Sequence, residues 1–375
     1  MTTPLLRASD TPPLHVQVMQ IIKDKIRSGV WRIGDLIPPE KELCAEFNVA
    51  RGTVRQALQN LEADGYLRRE QGRGTFVTFG QDIQQQATRN KQLAFIVTYV
   101  RDSSVSSIFM GFQQVAAEAG YSTIFSHVNN DIRQQAETVE RLYQEGVTGI
   151  ALYPVDSESV APLDRFVRAG FPLVLVDRYL THLSTDFVMT DHFGGAIRGV
   201  RYLLDQGYER VGFVTWLSPA VSMEHRYLGY QQALRERGIE PDESLVCHVE
   251  GYPTVDLTSL RQYLLHPDRP SAVFAANDQI AIALYRAAAS VGLRVPHDLA
   301  VVGFDNLDIA EQLDPPLTTV AQKFTDIGRK AGEVLLLRIG GDTSTVLQIT
   351  VSPELIVRAS CIPYANSAKR YPEKI

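Results

Sequence analysis

Between residues 14 and 26 the apolar side chains Leu14, Val18, Ile21, Ile22 and Ile26 return every three or four positions, a spacing that predicts a helix with one buried face, ending at Ser28-Gly29. Pro38-Pro39 then opens a second, shorter helix over residues 40–47, with Leu43 and Phe47 on one side, and Asn48-Val49-Ala50 breaks it. A third helix is predicted from Arg51 to Asp64. Val54, Leu58 and Leu61 form its apolar stripe, Arg51 and Arg55 share another face near its start, and Gly65 stops it. Residues 66–78 change to a two-strand pattern bracketed by glycines, with Arg73 in the turn, which predicts a hairpin. Two helices joined by about four residues, the second offering Arg and Thr from its first turn, followed by a basic hairpin, describe a winged helix-turn-helix that places that turn in a DNA major groove.

From residue 91 the pattern alternates short apolar runs with amphipathic ones. Strands are predicted over residues 93–100, 122–128, 147–153, 173–177, 211–216, 272–276 and 300–304. Helices are predicted over 135–145, 194–205, 224–236 and 279–290. Repeated strand-then-helix segments make parallel sheets covered by helices on both faces, and this length suffices for two doubly wound halves, whose ligand site lies at the carboxyl ends of the strands. Tyr153-Pro154, Asp177-Arg178, Trp216, Asn277-Asp278 and Asp305-Asn306 each follow or close an apolar strand. One such residue serves as a cap or turn former; five together outline a polar pocket. The polar stretch 80–91, GQDIQQQATRNK, lacks apolar periodicity and is expected to be a flexible linker.

Composition adds exclusions. The chain of 375 residues is 45% hydrophobic and 21% charged, in the range of globular proteins, and long enough for two or three domains. No run of 18 apolar residues and no signal-peptide order at the N-terminus points to a membrane or to export, so a cytoplasmic location is expected. Cys44, Cys247 and Cys361 are few and far apart, so neither a disulfide framework nor a metal site is expected, and no cofactor motif is present. The net charge is −6, yet the first 80 residues hold 11 Lys/Arg against 9 Asp/Glu, a head near +2 on a body near −8. The head is therefore the surface expected to meet a polyanion.

The stretch PLHVQVMQIIKDKIRSGVWRIGDLIPPEKELCAEFNVARGTVRQALQNLEADGYLRREQGRGTFV resembles the DNA-binding domain of GntR-type bacterial transcription regulators, most specifically in RGTVRQAL and GxGTFV. The resemblance implies that Arg51 and Arg55 contact bases or adjacent phosphates, Thr53 and Lys41 hold phosphate, and Gly72 with Arg73 forms the wing tip. Ala50 departs from it, standing where the family more often caps the recognition helix with Ser or Thr.

A second resemblance covers roughly residues 91 to 363. HRYLGYQQAL, SAVFAANDQIAIALYRAA, VPHDLAVVGFDN and DPPLTTVAQKFTDIGRKAGEVLL look like the effector domain of LacI/GalR-type repressors, related to periplasmic sugar-binding proteins. It implies effector contacts from Arg226, Asp305, Phe109 and Asp191, and further contacts from Arg178, Ser222, Tyr252 and Asn277. Trp216, Phe109 and Tyr252 supply the aromatic faces that stack on sugars. The expected organisation is an α/β chain: a winged helix-turn-helix over 12–79, a linker, a two-lobed effector and dimerisation domain over 92–363, and a tail over 364–375. Lobe 1 is expected over 92–190 and 323–340, and lobe 2 over 191–322 and 341–363. The hybrid is similar to arabinose-responsive repressors, and implies a homodimer that binds palindromic double-stranded operator DNA and is released by a small sugar. An enzyme is disfavoured because no GxSxG, HExxH or GxxxxGK[ST] occurs, and an exported transport binding protein is disfavoured by the attached head.

Overall fold

The structure, a computed structural model, describes residues 12–27, 30–32, 34–64, 66–70, 72–78, 91–100, 103–157, 161–217, 220–250 and 255–367. Two compact units make up the chain, in bulk residues 1–90 and residues 91–375. Ser28, Gly29 and Gly65, where two helices were expected to stop, lie outside the described residues, as do linker residues 80–90 and tail residues 368–375.

The head contains α1 (Leu14–Arg27), α2 (Glu40–Phe47), α3 (Arg51–Ala63), β1 (Leu67–Glu70) and β2 (Gly74–Val77). Its core is the set of apolar positions the helical period selects: Val18, Ile22, Leu43, Phe47, Val54 and Leu61 are buried together. Asn48 ends α2 in the left-handed conformation (φ 52°), which Asn tolerates because its short polar side chain bonds locally, and this turns the chain sharply into α3. The antiparallel β1 and β2 pair in the register Leu67↔Val77 to Glu70↔Gly74, and Leu36 bridges to Phe76 on the other side of β2.

The body begins with β3 (Gln92–Val97), α4 (Ser103–Glu118), β4 (Ser122–His127), α5 (Ile132–Gln144), β5 (Gly149–Leu152), α6 (Ala161–Arg168), β6 (Leu173–Val176) and β7 (Asp186–Thr190). It crosses to a second lobe with α7 (His192–Asp205), β8 (Val211–Trp216), α8 (Val221–Arg235), β9 (Val246–Val249), α9 (Leu257–Leu265), β10 (Ala272–Ala275), α10 (Asp278–Ser290), β11 (Ala300–Asp305), α11 (Asp308–Gln312) and β12 (Thr318–Ala321). A return crossing gives α12 (Phe324–Ile339) and β13 (Gln348–Val351), and the last gives β14 (Glu354–Ile356) and the short α13 (Tyr364–Ser367). The first sheet, in the order β13-β7-β6-β5-β3-β4, is wholly parallel; the second, β14-β12-β11-β10-β8-β9, is parallel except for β14. Runs such as Leu173–Val176 are buried on both faces, as strands inside parallel sheets must be.

One expected boundary is corrected. Residues 341–363 were assigned to lobe 2, but β13 pairs with β7 in the first lobe, and only β14 onward joins the second. The reason is Asp186 at the head of β7. Its buried carboxylate takes two hydrogen bonds from Arg338 of α12 (2.7 and 2.8 Å) and a third from the backbone N–H of Leu347 (2.8 Å), which holds the following strand on β7.

Helices α4 and α12 meet almost backbone to backbone. A Cβ on Gly328 would lie 1.8 Å from the Ile108 carbonyl oxygen, and one on Gly111 would lie 2.1 Å from that of Thr325. A backbone neighbour cannot rotate away as a side-chain tip can, so added volume here forces the helices apart. Gly328→Ala is expected to destabilise the body by about 1–3 kcal/mol, the usual cost of overpacking. Denaturant titration measures this, and an unchanged midpoint would show that the helices slide freely.

Candidate functional site

The recognition elements of the head are built around one carboxylate. Glu40, first residue of α2, accepts hydrogen bonds from Arg51 Nε (2.9 Å) and Arg55 Nη2 (3.4 Å) on α3, and Arg69 of β1 approaches to 3.8 Å. The Arg51 hydrogen bond holds the Glu40 carboxyl below its usual range. Both arginines remain exposed, and so does Lys41. Exposed ion pairs are worth only about 0–1 kcal/mol, so Glu40 orients the arginines without competing seriously with a phosphate or a base edge. Thr53 is half-buried in the first turn of α3, and Ala50 gives that helix no side-chain cap, as its methyl requires. At the hairpin tip Gly72 (φ 75°) and Gly74 (φ 122°) occupy backbone conformations that favour glycine, and Arg73 is exposed, paired with Glu70 at 2.8 Å.

In the body a cavity of about 580 Å³ opens between the lobes at the carboxyl ends of the strands. Arg226 of α8 is buried at its second-lobe side. It pairs with Asp305 at the end of β11 (3.1 Å), donates to the Ala276 carbonyl, and lies 3.8 Å above the Phe304 ring. Gln322, just past β12, donates to Asp305 Oδ1 (2.7 Å) and accepts from Thr190 at the end of β7. On the first-lobe side Arg178 donates to the Tyr153 hydroxyl (3.1 Å) and the Val155 carbonyl (3.3 Å), and lies 3.6 Å from the Asp177 carboxylate. Its buried Nε, the atom nearest the Asp177 carboxylate, makes no hydrogen bond. Burial pushes the Tyr153 phenol up, so it stays protonated.

Of the expected effector residues, Arg178, Trp216, Ser222, Arg226, Asn277 and Asp305 line this cavity together. Tyr252 lies outside the described residues. Phe109 and Asp191 are not among the lining residues. One helical step, about 100°, turns Phe109 away from the neighbouring Ile108 that does line the cavity, and its ring packs on Phe125 (4.8 Å) and Phe95 (5.6 Å). Asp191 is the N-cap of α7, its carboxylate accepting from the Gly194 N–H (2.8 Å). Asn277 does both jobs, capping α10 through the Ile280 N–H (3.0 Å) while lining the cavity. Sequence reasoning missed Gln322, Phe324, Asp156 and Glu250. Gln322 obeys the same strand-end rule, but the strand before it starts with two threonines and does not read as apolar.

The comparisons with known proteins agree with both halves. Residues 14–77 match the family described as bacterial regulatory proteins, gntR family, and residues 200–361 match the periplasmic binding protein-like domain. The arabinose metabolism transcriptional repressor of Geobacillus stearothermophilus is 30% identical over 360 residues, covering 93% of this chain and 98% of that one. The chain belongs to this family of GntR-headed transcriptional repressors. The fold has further parallels. A structure of transcriptional regulator CelR in complex with cellobiose has a TM-score of 0.67 at 23% identity, over 93% of this chain and 100% of that one. A LacI family transcriptional regulator from Enterococcus faecium with bound ribose has a TM-score of 0.62 at 24% identity, over 72% and 99%.

In this regulator the cavity's second-lobe side rests on a further buried acid. Asp278, first residue of α10, accepts from Thr319 Oγ1 (2.6 Å) and from the Leu307 N–H (2.8 Å), and so ties the Asp305-Asn306 turn to the helix. Burial, with the charge of Asp305 adding to it, pushes Asp278 up to about 8 despite those donors. The sign of the pH effect follows. Below the ordinary value of 3.8 the group is protonated folded or unfolded; between there and about 8 only the unfolded chain is ionised, so stability falls as pH rises through that window. Asp278→Asn is expected to flatten the decline in thermal midpoint between pH 5 and 8. Parallel pH profiles for the two proteins would refute that role.

Proposed function

We propose that this regulator represses transcription by binding operator DNA as a homodimer through α3 and the wing, and that a neutral sugar held between the lobes releases it. The observation that carries this reading is the cavity lining. Arg226 and Arg178 approach from opposite lobes, each already held by acids and carbonyls, with Trp216, Tyr153 and Phe324 as aromatic walls. Guanidinium and carboxylate groups paired in this way donate to and accept from vicinal hydroxyls, while flat rings cover sugar C–H surfaces. Asp156, Asp177, Glu250 and Asp305 outnumber the two arginines in the lining, which favours an uncharged polyol over a sugar phosphate. One head covers one half-site, so a two-fold dimer on a two-fold operator follows. No helix of the described residues is long and apolar enough to cross a membrane.

A sugar that bridges the lobes binds one lobe angle better than another, and only that difference shifts the DNA equilibrium. A thermal-shift screen of arabinose, ribose, xylose, glucose, cellobiose and the corresponding phosphates is expected to give a hit among the neutral sugars, and the hit to lower operator affinity roughly 5–150-fold. Arg226→Ala abolishes the thermal shift and gives a protein that still binds operator but is no longer released by the sugar. Arg55→Ala lowers operator affinity about 10–100-fold and leaves sugar binding intact, the usual worth of a base-contacting arginine. A hit confined to phosphates overturns the neutral-sugar reading, and a hit that tightens DNA binding reverses the mechanism.

A further inference from the structure

His192 is fully buried, opens α7 at the first crossing between lobes, and has no part in the site as read so far. Its Nδ1 is 3.3 Å from both Nε and Nη2 of Arg226. Arginine only donates, so Nδ1 must present a lone pair, and the imidazole is neutral with its proton on Nε2. That nitrogen lies 3.4 Å from the backbone carbonyl oxygen of Asp177, in the first lobe. Burial, then the Arg226 charge, holds the His192 pKa well below its ordinary value, in keeping with a permanent neutral state. Asp177 itself sits at φ 69°, a strained conformation that its surroundings must enforce, and its carboxylate faces Arg178. The Asp191 cap fixes the first turn of α7 and with it the place of the imidazole.

We propose that His192 is a positioning residue that couples the lobes: a neutral relay from Arg226 on one side of the cavity to the Asp177 backbone on the other. This rests on reading the cavity as the effector site. A ligand that engages Arg226 thereby acts on the angle between the lobes as well as on its own binding, and the relay keeps the ligand-free lobes near the closed arrangement. The two cavity arginines become ends of one chain, Arg226 to His192 to Asp177 to Arg178.

The test uses the full chain carrying Trp31→Phe, which leaves Trp216 in the cavity lining as the sole tryptophan. Acrylamide quenching then reads lobe opening without any ligand. His192→Leu, which can neither accept nor donate, is expected to raise the quenching constant at least about twofold by shifting the population of open lobes. His192→Gln, whose amide accepts from Arg226 and donates to Asp177, is expected to restore the parent value. With arabinose, ribose and cellobiose as probes, His192→Leu weakens binding by about tenfold, the worth of one hydrogen bond to a charged group, and His192→Gln does not. If His192→Leu fails to fold, nitrogen-15 histidine spectra of the parent chain decide, with His192→Gln identifying the resonance: the Nε2–H tautomer supports the relay and the Nδ1–H tautomer overturns it. Equal quenching in His192→Leu and parent also overturns it. Should no compound of the full thermal-shift screen bind the parent chain, the effector reading falls while the quenching result still judges the relay.

Discussion

The buried ion pair between Arg226 and Asp305 sets the terms for the body of this regulator. Two charges withdrawn from water are costly unless nearly every donor and acceptor is met, and removing either partner strands the other. The structure meets that demand with groups from several elements: the Ala276 carbonyl after β10, the His192 imidazole at the start of α7, the Phe304 face from β11, and the Gln322 amide in the second crossing. Asp305 (φ 113°) and Asn306 (φ 57°) hold unusual backbone conformations there, secured by Asp278 beneath and by Arg358, whose Nη2 donates to Asn306 Oδ1 at 2.8 Å. A turn so constrained presents its carboxylate in one position, the property a selective binding site needs.

The same pair stands beside the crossings between lobes. Thr190 ends β7 on the first crossing and Gln322 lies on the second, and the hydrogen bond between them joins the strands about which the lobes must turn. Gln322 also contacts Asp305, so the ligand end of the second lobe and the crossings share one amide. Binding and hinge geometry are then physically contiguous, and a small molecule needs no long route to alter the lobe angle. The head works by a separate electrostatic economy, with Glu40 gathering α3 arginines that stay exposed.

Much of this was legible in the sequence because it depends on local periodicity. The three head helices and the strands ending at Trp216 and Asp305 follow from spacing alone, and six of the expected effector residues line one cavity. What was not legible depends on long-range pairing. Asp186 looks like a poor strand residue until Arg338, more than 150 positions away, neutralises it, and that pairing is also why β13 joined the first lobe against expectation. Phe109 lies outside the lining because one helical step separates an aromatic packing position from a cavity position. His192 carried no sequence signal: a lone histidine after a capping aspartate is unremarkable until Arg226, 34 residues later, folds onto its ring nitrogen.

Linkage offers the most direct measurement of whether one molecule joins these parts. If a sugar between the lobes weakens operator binding by some factor, operator DNA must weaken sugar binding by the same factor. Sugar affinity measured by calorimetry on the free regulator and on the regulator saturated with operator is predicted to fall by that matching amount, within the range of roughly 5–150-fold. An operator-saturated protein that binds the sugar as tightly as the free one would contradict the account, because the cavity and the DNA-binding head would then be two sites without a shared equilibrium.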